Sequence, residues 1–187
     1  MKKTAIIIPG FGEHTSEVPY REIKKIALRE GYIVKTYNPR WSRNTASNWI
    51  AGFKELFQDK DLEQATIIGF SFGAYIAILI AQSIKAHKII ACSLSPYFKE
   101  DIATLPPIAH KILGTRRMSD FKRYSFPRSI KNVAYIVGDA DFPQLIVRVK
   151  KAYKRTRGKK RLTIIKKVAH EISQAYLRAI EKELRRE

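Results

Sequence analysis

The chain has 187 residues, 45% of them hydrophobic, and this length and composition predict one globular domain over residues 1–187. It carries 36 Lys and Arg against 17 Asp and Glu, a formal net charge of +19, which favours polyanions as partners whatever the fold. The single cysteine, Cys92, excludes an internal disulfide and a Cys/His zinc site, so we expect a cytoplasmic protein with no metal or other cofactor.

Six short apolar stretches rich in β-branched residues predict strands. They are Thr4–Ile8, Tyr32–Tyr37, Ala65–Ile68, Lys88–Leu94, Asn132–Val137 and Arg161–Lys166. Helical patterns separate these strands, so we expect an α/β fold: a three-layer, doubly wound sheet of about six parallel strands. No apolar stretch is long enough to span a membrane, and no signal peptide is expected, because the first apolar run ends at Pro9-Gly10.

The predicted helices are recognised by their inward-facing apolar stripes. A basic helix ends at Gly31, and Asn44 is a plausible N-cap for the next one. The inward residues are Ile23, Ile26 and Ala27, then Trp49, Ile50, Phe53, Leu56 and Phe57, then Leu145, Ile146, Val149 and Tyr153, and finally Ile172, Tyr176, Ile180 and Leu184. Residues 97–131 interrupt the alternation as a small insert with a helical piece at 108–113.

The most informative stretch is residues 65–84, which reads as a strand, a sharp turn and a long apolar helix. The turn is Gly69-Phe70-Ser71-Phe72-Gly73, with glycines where a tight turn brings backbones together. Such a turn presents the Ser71 hydroxyl at the sheet edge. The N–H of Phe72 begins the helix, so it has no acceptor within the helix.

Polar residues follow two other predicted strands at the same edge. Asp139 and Asp141 follow the fifth strand, and His170 follows the sixth. Ligands of parallel sheets bind beyond the carboxyl ends of the strands, so we expect these residues to meet Ser71. Ser71 would be a nucleophile, His170 its general base, and an aspartate would orient the histidine.

These features together resemble the α/β-hydrolase family. The resemblance rests on the G-x-S-x-G turn, the order Ser, Asp, His, the spacing Gly138-x-x-Asp141, and a loop at Pro9–Gly12 after the first strand. Residues 10–15 look like the corresponding loop of monoacylglycerol lipases and related esterases. The overall length is similar to that of small intracellular serine hydrolases of the retinoblastoma-binding-protein-9 type.

The resemblance implies a catalytic triad of Ser71, Asp141 and His170 in a minimal form of the fold. Asp139 remains an alternative acid, although the family places the acid three residues after the glycine. The backbone N–H groups of Phe11 and Phe72 would form the oxyanion hole. Residues 97–131 could build a helix or two at most in place of a large lid domain, so we expect a small substrate.

Other residues near the predicted site have structural or binding interpretations. The Phe11 and Phe72 side chains would be pocket walls, and Tyr75 would pack with the helix of the turn. His14 would support the loop or bind substrate, His87 would lie on the surface, and His110 would line the pocket.

Two functions compete. The first is a serine hydrolase that cleaves a small carboxylic ester or thioester through an acyl-enzyme. The second is a non-catalytic module that binds nucleic acid or another anionic partner through the basic strip Arg148–Arg161, which has nine basic residues and no acidic one. RNA recognition favours several aromatic platforms, and the strip contains only Tyr153, so hydrolysis is the stronger prediction.

Overall fold

The computed structural model describes residues 3–57, 62–81, 83–84 and 86–186. In this part of the chain six strands form one parallel sheet of order β2-β1-β3-β4-β5-β6, which confirms the predicted α/β architecture. The strands are β1 (Thr4–Ile8), β2 (Ile33–Thr36), β3 (Ala65–Phe70), β4 (Lys88–Cys92), β5 (Ser129–Gly138) and β6 (Arg157–Ile165). The α-helices are α1 (Val18–Arg29), α2 (Ala46–Leu56), α3 (Phe72–Ile80), α4 (Pro107–Phe121), α5 (Pro143–Arg155) and α6 (Gln174–Leu184).

Helices cover both faces of the sheet. In β1, Ile6 and Ile8 belong to one hydrophobic cluster, and Ala5 and Ile7 belong to another, because successive strand residues point to opposite faces. The first cluster includes side chains of α2, α3 and α5, and the second includes side chains of α1 and α6. A strand that is buried on both faces carries apolar residues along its length, so the sequence predicted such strands from continuous apolar runs.

The end of β4 and the starts of β5 and β6 differ from the predicted positions. β4 stops at Cys92 rather than Leu94, because Ser93 has a φ of 50° that a strand cannot continue. β5 begins at Ser129 and β6 at Arg157, three and four residues earlier than predicted. β6 is an edge strand, so its charged first residues can reach solvent on the unpaired side.

The start and end of α2 correct two predictions. The N-cap is Thr45, which closes a capping box, and not Asn44. Leu56 is 60% exposed rather than inward-facing. The helix ends at this residue, and the extended Phe57 then fills the core against Phe53, with 4.7 Å between ring centroids.

The inward stripes of the last two helices are broadly as predicted. In α5, Leu145 and Val149 are buried, while Ile146 and Tyr153 are partly buried at the edge of the core. Ile172 is also only partly buried, and it precedes α6 instead of belonging to it.

The helical piece predicted at 108–113 in the insert 97–131 is longer than expected. The insert holds a 3₁₀ turn at Ile102–Thr104 and then α4, which bends at Gly114 (φ 75°) and continues to Phe121. Glycine adopts this left-handed conformation readily, so it bends the helix where the sequence suggested an end. The Asp120 carboxylate accepts hydrogen bonds from the N–H and hydroxyl of Ser47 (2.9 and 2.6 Å), which docks the insert on α2.

A buried ion pair joins the insert to α5. Arg148 Nη1 lies 2.7 Å from Asp101 Oδ2, and the Arg148 residue is only 1% exposed. The guanidinium lies over the rings of Phe98 and Phe126, at 5.2 and 4.7 Å from their centroids. Arg148, predicted as the start of a basic binding strip, is therefore a structural residue. None of the helices that the structure describes has the length and apolar character needed to cross a membrane.

Candidate active site

The turn at Ser71 depends on two close backbone approaches. Ser71 has a φ of 54°, and α3 begins at the next residue, Phe72. A Cβ at Gly73 would collide with the carbonyl oxygens of Ile8 and Pro9, and a Cβ at Gly69 would collide with the backbone of Gly73. The glycine spacing seen in the sequence is therefore required for β1, β3 and α3 to meet around the serine.

Ser71, His170 and Asp141 form a hydrogen-bonded line, here called the Ser71–His170–Asp141 array. His170 Nε2 lies 3.1 Å from Ser71 Oγ, and His170 Nδ1 lies 2.9 Å from Asp141 Oδ1. The carboxylate accepts from Nδ1–H, which leaves Nε2 of a neutral imidazole free to accept the Ser71 proton. The geometry suits a nucleophile, a general base and an acid that orients the base.

The loop between β5 and α5 assigns different contacts to the two candidate aspartates. Asp139 is exposed, and its Oδ1 accepts the N–H of Lys167 at 2.6 Å. This contact holds the segment that leads to His170, whereas Asp141 contacts His170 itself. A Cβ at Gly138 would collide with the carbonyl of Val168, so glycine lets the two loops lie against each other.

Asp141 is only 4% exposed, yet it is held as a carboxylate. Burial alone would raise its pKa. Hydrogen bonds from His170 and Ser93, together with the Phe142 N–H at 2.7 Å, outweigh burial and hold the pKa of the carboxyl below its usual value. The acid of the array therefore keeps its negative charge at neutral pH.

The loop after β1 is fixed by a carboxylate. The N–H of Gly10 donates to Glu13 Oε2 at 2.9 Å and to the Tyr20 hydroxyl at 2.8 Å, and that hydroxyl donates to Glu13 Oε2. Among the described residues no acceptor is found for the Phe11 N–H, and the Phe72 N–H is the first of α3. Both N–H groups are available for a ligand oxygen.

A pocket of ≈ 260 Å³ opens over Ser71. Its lining residues are Gly10, Phe11, Glu13, Phe70, Ser71, Phe72, Ser95, Tyr97, Phe142, Leu145 and His170. The Phe11 and Phe72 rings stand 5.1 Å apart, and Tyr97 stacks on Phe72 at 4.6 Å. Both phenylalanines are thus walls, as predicted, and Tyr97 is the contribution of the insert to the lining.

Comparison with known proteins identifies the fold. Neither the family models nor the sequences of curated proteins match this chain. The alpha/beta hydrolase domain-containing protein 10 from mouse is 13% identical, with a TM-score of 0.81 over 98% of this chain and 89% of its own. The monoacylglycerol lipase of Paleococcus ferrophilus is 15% identical, with a TM-score of 0.73 over 98% and 96%. The RedJ-thioesterase of Streptomyces coelicolor is 14% identical, with a TM-score of 0.65 over 97% and 84%. This chain has the α/β-hydrolase fold.

Three polar residues of this α/β-hydrolase fold were not singled out from the sequence. Ser95 Oγ lies 3.3 Å from Ser71 Oγ, and Ser93 Oγ lies 2.6 Å from both Asp141 Oδ2 and the Tyr176 hydroxyl. The position of Ser93 and Ser95 at the carboxyl end of β4 was a usable signal, since ligands bind at that edge. Tyr176 gave no such signal, because it occupies an inward position of an amphipathic helix.

The remaining histidines lie away from the array. His14 is exposed and its Nδ1 contacts the Ser16 hydroxyl at 2.7 Å, while His110 is exposed on α4 and does not line the pocket, contrary to prediction. His87 is half-buried just before β4. Tyr75 is fully buried in α3, against Phe98. Within the described residues, no group of three His, Cys, Asp or Glu side chains is arranged to share a metal ion.

Proposed function

We propose that the chain is a serine hydrolase that cleaves a small carboxylic ester or thioester. The observation that carries the proposal is the Ser71–His170–Asp141 array, with its 3.1 and 2.9 Å contacts at the floor of a pocket. The α/β-hydrolase fold supports it, since similar structures include a lipase and a thioesterase. Fold alone does not fix chemistry, so the array is the stronger support.

In the proposed reaction, Ser71 Oγ attacks the carbonyl carbon while its proton passes to His170 Nε2. The carbonyl oxygen becomes an oxyanion and accepts hydrogen bonds from the N–H groups of Phe11 and Phe72. One such donor is worth about 3 kcal/mol of barrier. Asp141 holds the tautomer of His170 and stabilises the imidazolium.

Collapse of this intermediate breaks the bond to the alcohol or thiol, which leaves with the proton from His170. The acyl group stays on Ser71 as an ester. Water then attacks the acyl carbon, gives a proton to His170, and releases the carboxylic acid as Ser71 recovers its proton. The pocket of ≈ 260 Å³ lies below the range of about 300–1,000 Å³ typical of drug-sized ligands, which favours a short acyl group.

The decisive variant is Ser71→Ala, which keeps the Cβ and removes only the hydroxyl. We expect it to abolish hydrolysis of p-nitrophenyl butyrate and labelling by a fluorophosphonate probe, with an unchanged circular dichroism spectrum. Ser83→Ala is a matched control, because Ser83 is an exposed serine whose hydroxyl bonds Ile80 O. Unchanged turnover in purified Ser71→Ala would refute the serine-hydrolase proposal.

The alternative, a non-catalytic module for an anionic partner, has weaker support. Within the described part of the chain, the strip Arg148–Arg161 contains residues that are paired with carboxylates: Arg148 with Asp101, Arg155 with Glu100 and Arg161 with Glu183. A protein with no activated serine would not react with the fluorophosphonate. Labelling at Ser71 therefore separates the two functions, although an anionic partner remains a prediction compatible with either.

A further inference from the structure

The site contains two buried hydroxyl groups that the proposed mechanism does not use. Ser93 follows β4 and is 0% exposed, and Tyr176 lies in α6 and is also 0% exposed. Ser93 Oγ is 2.6 Å from Asp141 Oδ2 and 2.6 Å from the Tyr176 hydroxyl oxygen. Three elements that are far apart in the sequence thus meet behind the acid of the array.

The direction of each hydrogen bond follows from proton counting. An ionised carboxylate only accepts, so the Ser93 hydroxyl donates to Asp141 Oδ2. A serine hydroxyl has one hydrogen, so Ser93 Oγ must accept its second bond from the Tyr176 O–H. Burial is the main cause that raises the pKa of Tyr176, and this keeps the phenol protonated as that donor.

The Ser93 backbone has a conformation that is unusual for a residue with a side chain. Its φ of 50° is positive, like the 54° of Ser71, and its N–H donates to Ile136 O at 2.8 Å. A positive φ is costly for a residue with a side chain and persists where the surroundings enforce it, commonly at functional sites. The end of β4 therefore holds Ser93 in a backbone conformation that its surroundings enforce.

We propose that Ser93 and Tyr176 are positioning residues, which set the orientation and basicity of Asp141 through the donor series Tyr176 to Ser93 to Asp141. The inference rests on the proposed serine-hydrolase function. The Oδ1 atom of Asp141 accepts hydrogen bonds from His170 Nδ1 and the Phe142 N–H, while Oδ2 accepts one from the Ser93 hydroxyl. Fixing both oxygens holds the carboxylate plane in line with Nδ1 of His170.

Few titratable groups face the Ser93 and Asp141 side chains from the described elements around them. They are His170 from the loop after β6, Tyr176 from α6, and the thiol of Cys92 from β4. Burial raises the pKa of the Cys92 thiol, so it stays neutral. The acid limb of the pH–rate profile accordingly reports the Ser71–His170–Asp141 array as a coupled unit.

The test compares Ser93→Ala, Tyr176→Phe and the double variant. Removing the Ser93 hydroxyl takes away a hydrogen bond that stabilises the Asp141 carboxylate, so the pKa of Asp141 rises. Protonation of the Ser71–His170–Asp141 array then begins at a higher pH. We expect the acid limb of kcat/KM to move up by about one pH unit, and kcat to fall about tenfold with KM nearly unchanged. Tyr176→Phe should lower kcat about threefold, and the double variant should equal Ser93→Ala, because Tyr176 acts through Ser93.

Tyr135→Phe is the matched control, because Tyr135 is also fully buried and its hydroxyl contacts Thr156 Oγ1 at 2.7 Å, away from the pocket. It should lower stability without moving the acid limb. If Ser93→Ala does not fold, Ser93→Gly replaces it, since glycine adopts a φ of 50° without strain.

Two results would overturn the inference. One is a Ser93 variant with wild-type kcat and acid limb; the other is a Tyr176→Phe effect that persists undiminished without the Ser93 hydroxyl. Ser71→Ala distinguishes failure of the positioning role from failure of the proposed hydrolase function. Turnover retained in Ser71→Ala would defeat the proposed function itself, whereas an inactive Ser71→Ala beside normal Ser93 variants would defeat only the positioning role.

Discussion

At the scale of single residues, two aspartates two positions apart have opposite environments. Asp141 is buried and contacts His170, while Asp139 is exposed and accepts the Lys167 N–H. We expect Asp141→Asn to lower kcat about 10³- to 10⁴-fold, because the amide would face Nδ1 and favour the wrong tautomer. Asp139→Asn should stay within about threefold of wild type, since its amide oxygen can still accept from Lys167. Steady-state kinetics on p-nitrophenyl butyrate decide between them.

The opposite ranking would make Asp139 the acid and leave Asp141 a structural residue.

The lowered pKa of Asp141 also makes the free energy of unfolding depend on pH. A carboxyl whose pKa is depressed on folding stabilises the protein above its unfolded pKa, about 3.9, and that contribution is lost as the pH falls through the lower folded value. Asp141→Asn removes this contribution, so its unfolding free energy should depend less on pH below about 4 than that of the wild type.

At the scale of elements, a buried ion pair between Arg148 and Asp101 attaches the insert to α5. Arg148→Ala would leave Asp101, which is 4% exposed, as a buried charge without its cation. We expect a loss of about 3–5 kcal/mol in the free energy of unfolding. Arg155→Ala is the control, because its side chain is 51% exposed and pairs with Glu100 at 3.2 Å. It should cost no more than about 1 kcal/mol.

Urea unfolding of both variants measures the difference. Equal losses would mean that the buried pair does not hold the insert, and that packing of Phe98 and Phe126 does so without the guanidinium. Tyr97 begins the insert and lines the pocket, so Arg148→Ala should also raise KM where the protein still folds.

Elements were predictable from the sequence where one local cause fixes them. Continuous apolar runs fix the buried strands, and the glycines around Ser71 fix the turn, because a Cβ at Gly69 or Gly73 would strike backbone. Caps and strand ends were less predictable, since Asn44 and Thr45 are both good N-caps and only packing chooses between them. The contact of Ser93 with Tyr176 joins positions 83 residues apart and follows only from how α6 packs on the sheet.

At the scale of the whole molecule, a strongly basic chain surrounds a small pocket that contains a carboxylate. The formal net charge is +19, while Glu13 lines the pocket beside Gly10 and Phe11. The positive charge therefore attracts an anionic ligand at long range, and the pocket volume limits the size of the acyl group that binds. These two effects can be separated because salt screens only the first.

Substrates that differ in acyl length and in charge separate pocket volume from long-range attraction. Each buried methylene contributes about 0.8 kcal/mol, or nearly fourfold in kcat/KM, until the pocket wall ends. With ≈ 260 Å³ available, kcat/KM across p-nitrophenyl esters of two to sixteen carbons should peak after a few carbons. An anionic ester such as the p-nitrophenyl monoester of succinic acid should lose kcat/KM as ionic strength rises from 0.01 to 1 M, because the Debye length shrinks from about 30 to about 3 Å. The neutral butyrate ester is the control and should change little. A maximum at long chains would refute the small pocket, and equal salt dependence of the two esters would show that the positive surface does not guide substrate.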